Sequence, residues 1–594
     1  MPPEGIAGDT CAASQPLARP RRVWLEVELL LLTVLVVGVY FTRLTDLTIR
    51  GEESRWARVA LEMLDTGDWI VPRQQGQPFP DRPPLNSWAM IGASRITGEL
   101  NLTAIRLPAV TATLLITLAI YFYCRNFLSR LGSFAAAAAY PTMAQVLQLG
   151  RVGESDSLLT LCVAGALFAW HYGYACRDRS PAAWIAGYAL AALAGLAKGP
   201  QGPVYFMAIT AAFLALKRDW RFLYSPWQFA GLAVFVSIVG AWQLPFYWEL
   251  DATSAQAIWS EGGEMSDRFD YSNLPKVLGN WIAYPFEVFV CLMPWSLMLF
   301  AVPTRWMRDR LSDARPMAEF LATAIAVAFV TCWLPAQSRA RYFMCLYPCV
   351  APLVGLSIQR CWECREKSWW QQSWDRYLIG GAALTTAVGL LIGGTVVGGT
   401  VIGGAVAGDG PGLFHLRESV SRGFALAFIP LAAIAAILMI WSRPRRHAWQ
   451  AQAGVLTLAA FMGLTYTGVV VSVQSRTSNN PLSAIATVRE LIPPGERLMS
   501  FDPIHHLFAY YYAEPIELQK LGKNRLATPT SGSYFCFAVD PHYTRPIIPF
   551  AWETVAEISC ERTQSPHPAS KVVVGRRTSG STASLETDPS VLRK

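Results

Sequence analysis

The chain has 594 residues, of which 53% are hydrophobic, 12% aromatic and only 15% charged. With a mean hydropathy of +0.28, that composition excludes an ordinary soluble enzyme and a disordered chain. The formal net charge of +8 gains meaning only once its basic residues are placed against the apolar runs.

A helix of about 20 apolar residues crosses the hydrocarbon core with every backbone group satisfied internally. About thirteen such runs occur, near 24–42, 105–124, 133–149, 156–175, 182–197, 201–217, 228–248, 283–303, 318–335, 340–358, 377–407, 424–441 and 453–473. With the amino terminus in the cytoplasm, alternate loops are the basic ones: Arg21 and Arg22, Arg125 and Arg130, Arg177 and Arg179, Lys217 to Arg221, Arg305 to Arg310, Arg360 to Lys367, and Arg443 to Arg446. That regularity fits the positive-inside rule and puts the polar carboxyl end outside. The first run reads as a retained anchor after a cytoplasmic tail of 1–22, and 23–473 as the membrane domain. Two polar loops, 43–104 and 249–280, stay on the outer side.

The first outer loop carries Arg50-Gly51-Glu52-Glu53-Ser54-Arg55-Trp56. From Glu53 to Leu64, Trp56, Val59, Ala60 and Met63 recur at helical spacing, so a short amphipathic helix lying in the membrane interface is expected, with carboxylates at its favourable start. Lys198, between two apolar runs and before Gly199-Pro200, is costly unless it faces a cavity or a partner, and Asp156 at the outer start of a run gains from the same logic. Arg151 and Arg339 read as interfacial anchors. The glycine pairs at 393/394, 398/399 and 403/404 create GxxxG spacings that suit close helix packing.

Beyond the last run, 474–575 reads as a small outer α/β domain: a helix around Ala484 to Leu491, then β-branched and aromatic runs at Tyr534 to Val539 and Lys571 to Val574. Cys536 and Cys560 could pair in an oxidising compartment. His505 and His506 are adjacent, and strand geometry would turn them to opposite faces, against a joint metal site. Residues 576–594 read as a frayed tail. Cys361 and Cys364 form a lone CxxC without a redox or metal context.

The run Glu-Glu-x-Arg-Trp, a helix, Thr66-Gly67-Asp68-Trp69, Gly76, and Asp81-Arg82-Pro83-Pro84-Leu85 resembles the first-loop signature of polyprenyl-phosphate-dependent glycosyltransferases of GT-C fold. The resemblance is to the lipid A aminoarabinose transferase group and, more distantly, to protein O-mannosyltransferases. Arg106-Leu107-Pro108, Gly150-Arg151 with Glu154 and Asp156, Ala197-Lys198-Gly199-Pro200, and Arg341-Tyr342 with Tyr347-Pro348 follow in the family's order.

The resemblance implies an all-α polytopic membrane fold with Glu52 at a catalytic carboxylate position and Asp156 at a second. It makes Asp81 a metal-contacting position, and Arg82, Arg268 and Tyr342 contacts to the donor phosphate. The family's Asp-Glu pair is here Glu52-Glu53, and Phe79 replaces a tyrosine.

The residues support the same chemistry on their own. Transfer from a lipid phosphate to a hydroxyl needs a carboxylate to take the proton, here Glu52 or Asp156. It also needs cations to stabilise the departing phosphate, here Arg55, Arg82, Arg268 and Lys198 or Arg341. A divalent cation is the one cofactor such a site admits, with Asp81 and Glu53 as oxygen ligands. The expected partners are a polyprenyl-phosphate-linked sugar, an exported lipid, protein or glycan acceptor, and membrane lipid, with no nucleic acid. A lipid-sugar transporter or flippase would show paired repeats and midplane charge, and a non-catalytic lipid-binding relative would bind donor without turnover.

Overall fold

The computed structural model describes residues 22–79, 82–176, 181–250, 269–364, 369–397, 420–444, 447–478, 480–521, 527, 533–539, 545–560 and 571–578. The first helix, α1 (Arg22–Val36), continues through a π turn to Phe41. The outer loop after it folds as α2 (Glu53–Thr66), a hairpin of β1 (Arg73–Gln74) and β2 (Gln77–Pro78), and α3 (Leu85–Thr97). Gln75 and Gly76 form the hairpin turn, both at positive φ, 51° and 72°. A two-residue turn of that hand favours glycine.

The bundle then continues with α4 (Leu102–Cys124), α5 (Arg130–Ala139), α6 (Ala144–Leu149), α7 (Asp156–Ala175), α8 (Pro181–Lys198), α9 (Gln201–Lys217) and α10 (Pro226–Glu249). It is completed by α11 (Leu274–Cys291), α12 (Arg315–Trp333), α13 (Tyr347–Glu363), α14 (Trp369–Val397), α15 (Arg422–Trp441) and α16 (Ala448–Thr465), the last prolonged to Thr477.

Ten segments among the described residues are long and apolar enough to cross a membrane. The other three expected runs are helices that fall short. The 133–149 run breaks at Tyr140–Thr142 into α5 and α6, because Pro141 cannot continue the hydrogen-bond ladder. The 201–217 run is the 17-residue α9. The 283–303 run divides between α11 and a turn through Pro294. The chain is an integral membrane protein.

Packing in the bundle uses small residues. An added Cβ on Gly389 would lie 2.5 Å from Ala432, and one on Gly393 2.4 Å from Ile429, so α14 and α15 approach through a GxxxG pair one turn before those read from the sequence. The 398/399 and 403/404 pairs lie outside the described residues. Glu28 on α1 is buried and accepts from Arg130 at 2.7 and 2.9 Å, from Gln452 at 2.8 Å and from Tyr121, which satisfies a carboxylate inside the bundle.

The carboxyl-terminal domain is α/β. Its sheet has the order β4 (Glu517–Gln519), β3 (Met499–Phe501), β5 (Tyr534–Val539), β7 (Lys571–Arg577), β6 (Trp552–Ser559). β3 pairs parallel with β4 and β5, whereas β7 pairs antiparallel with β5 and β6. Alternate side chains divide between two cores, Cys536, Val572 and Val574 packing with Ile485 and Phe508 of α17 (Leu482–Leu491) and α18 (His506–Tyr512), and Phe535, Phe537 and Val573 on the other face.

Four expectations change here. Cys536 and Cys560 are both buried and both free. His505 and His506 open a helix, not a strand, and their rings stack with centroids 4.4 Å apart. Strand β7 carries the fold through Arg577, past the expected boundary at 575. The apolar face of α2 is covered by protein, not lipid: Trp56, Val59, Ala60 and Met63 pack with Met90 and Ile91 of α3 and with Leu507 of α18.

Candidate active site

Glu52 and Glu53 are neighbours with opposite fates, because a helix turns each successive side chain by about 100°. Glu53 points into the protein and is fully excluded from solvent. Its Oε1 accepts from Arg106 Nε at 2.8 Å and from the Gly153 N–H at 2.7 Å, and its Oε2 from Arg106 Nη2 at 2.9 Å and from the Arg50 N–H at 2.6 Å. Gly153 is required by close approach, since a Cβ there would lie 2.6 Å from the Ile105 carbonyl. Arg106 also donates to the carbonyls of Leu44, Leu47 and Thr48. With every lone pair in use, Glu53 does not fit the expected metal-ligand role; it fastens the outer loop to the bundle. Asp81, the other expected ligand, lies outside the described residues. Among the described residues no group of three His, Cys, Asp or Glu side chains is placed to hold a metal ion.

Glu52 precedes α2 without capping it, so its carboxylate remains available. Its side chain is 42% exposed and ion-pairs with Arg55 at 2.9 Å. Its backbone N–H donates to Glu154 Oε1 at 3.3 Å. Glu154 Oε2 accepts from Arg341 Nη2 at 2.5 Å, and the same nitrogen donates to Asp156 Oδ2 at 2.7 Å. Asp156 Oδ1 in turn accepts from Lys198. One polar chain therefore runs from Glu52 through Glu154 and Arg341 to Asp156 and Lys198. Burial pushes the Glu154 carboxyl above the usual range, against the pull of Arg341 and with the push of Asp156.

Helix ends place these groups. Asp156 is the first residue of α7 and Lys198 the last of α8. Gly199 at φ 81° makes the reversal into α9, and Gln201 Nε2 then donates to the Tyr342 carbonyl at 3.3 Å, tying this turn to the one that carries Arg341. Tyr342 thus stands beside the cluster through its backbone. Arg82 lies half-buried between the hairpin and α3, and Arg268 falls outside the described residues. Arg151 is not an exposed anchor: it is buried and donates to the carbonyls of Thr42 and Arg43. Glu154 and Arg106 were not assigned roles from the sequence; the cost of an arginine inside an apolar run was the available signal for the second.

Two cavities meet the cluster. One, about 610 Å³, is lined by Ala283, Phe286 and Val290 of α11 together with Arg339 and Arg341. Arg339, expected as an anchor, joins Arg341 there. The other, about 750 Å³, has Glu52, Arg55 and the hairpin on one wall and the carboxyl-terminal domain on the other.

A polytopic bundle with acidic and cationic side chains gathered at one rim, beside an apolar groove and under a small α/β domain, has the GT-C fold. The solved structure of ArnT from Cupriavidus metallidurans bound to undecaprenyl phosphate superposes with a TM-score of 0.62 at 17% identity, covering 93% of this chain and 97% of that one. Residues 81–243 match the model of the dolichyl-phosphate-mannose-protein mannosyltransferase family. The undecaprenyl phosphate-alpha-4-amino-4-deoxy-L-arabinose arabinosyl transferase of Edwardsiella ictaluri is 27% identical over 342 residues, 55% of this chain and 58% of that protein. Its counterpart in Pseudomonas aeruginosa is 26% identical over 316 residues, 51% and 54% of the two chains. The matched part thus spans just over half the length of these relatives.

Proposed function

We propose that the chain is a glycosyltransferase that moves a single sugar from a polyprenyl-phosphate carrier to an exported lipid, protein or glycan at the outer face of the membrane. On the thirteen-crossing reading, in which the shorter helices also span, the amino terminus is cytoplasmic and the carboxyl-terminal domain extracytoplasmic, with the basic loops inside. The observation that carries this proposal is the polar chain from Glu52 to Lys198 at the wall of an apolar groove. A prenyl chain suits Ala283, Phe286 and Val290, and its phosphate suits the guanidinium groups of Arg339 and Arg341, whose planar forks match phosphate oxygens.

Glu52 is assigned as the base, because it alone of the three carboxylates is part-exposed and lines the second cavity. Asp156 has both oxygens in ion pairs, so it holds Lys198 and Arg341 in place instead of taking a proton. The acceptor hydroxyl attacks the sugar's anomeric carbon as its proton passes to Glu52. The carbon–oxygen bond to phosphate breaks, and the leaving phosphate's negative charge is met by Arg341 and Lys198.

Purified chain in lipid nanodiscs, supplied with radiolabelled polyprenyl-phosphate sugar and an envelope extract as acceptor source, should transfer label. Glu52→Gln should lower transfer by about a hundredfold or more while donor binding persists. Undiminished transfer by that variant would overturn the assignment, and donor binding without turnover by the native chain would select a non-catalytic relative.

A further inference from the structure

The cavity between the outer loop and the carboxyl-terminal domain has a composition that specifies its ligand. Among the described residues its charged lining is Glu52 and Asp502 against Arg55 and Lys571, two acids and two bases. A site for a phosphate or carboxylate needs surplus cations, and among the described residues this one has none. Yet two of its donors lack partners: Gln74 Nε2 and Arg55 Nε are shielded and meet no acceptor, and they line the cavity with the Glu52 carboxylate, which pairs with Arg55 Nη1 at 2.9 Å. His505 adds a neutral donor. Burial and the neighbouring Arg55 push its imidazole down to about 4. Its Nδ1 accepts from the Leu507 N–H at 3.2 Å, so the ring proton sits on Nε2. Flat faces are supplied by Phe79 and by the stacked rings of His505 and His506.

Neutral balance, unsatisfied donors beside a carboxylate, and aromatic faces together match the hydroxyls and C–H faces of a sugar ring. We infer that this cavity seats the acceptor as an uncharged, hydroxyl-rich saccharide, and that Gln74, His505 and Lys571 select it. The inference rests on the proposed transfer reaction and deepens it: the attacking group is a sugar hydroxyl that gives its proton to Glu52, the bond formed is glycosidic, and the polyprenyl phosphate departs. The carboxyl-terminal domain then acts as half of the specificity pocket.

The test uses the full chain in its native membrane with a photoreactive p-benzoylphenylalanine at Gln77, on the cavity wall, at Phe286 in the apolar groove, or at Arg489, which pairs with Glu514 on the exposed surface of the domain. Irradiation and mass spectrometry should find a phosphate-free saccharide on the Gln77 probe, a polyprenyl phosphate on the Phe286 probe, and neither on the Arg489 probe. Adding Gln74→Ala should lower saccharide capture by about threefold and Lys571→Ala by about tenfold, the range for losing a neutral and a charged hydrogen bond. A phosphorylated adduct, a peptide adduct or none at Gln77 would overturn the inference while lipid capture at Phe286 leaves the transfer reaction standing. Loss of lipid capture at Phe286 would remove the reaction itself, and undiminished saccharide capture in both alanine variants would remove the assigned selectors.

Discussion

Arg106 grips Glu53 with two parallel hydrogen bonds, 2.8 and 2.9 Å, and both side chains are sealed from solvent. Removing either partner strands a buried charge. Glu53→Ala and Arg106→Ala should each destabilise the folded protein by about 3–5 kcal/mol, seen as a lowered thermal midpoint in detergent. The double variant Glu53→Leu with Arg106→Met should recover part of that loss, because no charge remains to be buried. A single variant that melts like the native chain would deny the pair its structural role.

Arg341 spans two carboxylates from one nitrogen, 2.5 Å to Glu154 and 2.7 Å to Asp156. Lysine keeps the charge but loses the planar fork. Arg341→Lys should lower kcat/KM for the lipid-linked donor by about a hundredfold, the scale of losing one charge-stabilising donor. Steady-state kinetics with donor limiting checks this, and an unchanged kcat/KM would take Arg341 out of phosphate stabilisation.

Gln75 joins the first outer loop to the carboxyl-terminal domain: its amide donates to Ser500 Oγ and accepts from the Ile504 N–H, each at 2.9 Å. The hairpin itself does not depend on that side chain, since Glu62 accepts from the Gln75 and Gly76 N–H groups at 2.7 and 3.1 Å. Gln75→Ala should therefore loosen the domain without unfolding the turn. Amide exchange across residues 499–512 should quicken by about tenfold, as expected for two lost hydrogen bonds, with protection in α2 retained.

His505 has an imidazole held down to about 4 in the folded protein, below its ordinary value of 6.5. The unfolded chain thus binds the proton more tightly, and the linked stability is complete above pH 6.5 and is lost as pH falls from there toward 4. Exchange protection of α18 should decline across that window, and His505→Gln should flatten the decline. An equally steep profile in the variant would place the titrating group elsewhere.

Much of the fold was legible because bilayer physics leaves few options. Apolar runs, basic loops and the helix of the first outer loop are local signals, and α2 covers Glu53–Thr66 where the spacing of Trp56, Val59, Ala60 and Met63 put a helix. What covers that helix was not legible: Leu507 lies far along the chain, and no local periodicity reports it. The same limit applies to the two glutamates. Both suit a helix start, but only Gly153 and Arg106, brought in from other segments, decide that Glu53 is buried and structural while Glu52 stays part-exposed. Pro141 and Pro294 marked where two expected spans shorten, and the apolar counts on either side concealed them.

The polar chain at the rim also sets an order of events during synthesis. Arg341 emerges 187 residues after Glu154, and the wall that Lys571 supplies comes later still. A nascent polypeptide halted before Arg341 holds Glu154 and Asp156 with no guanidinium between them, and Lys198 alone to offset the pair. The rim cluster is therefore completed late, by segments that follow the first outer loop by nearly three hundred residues.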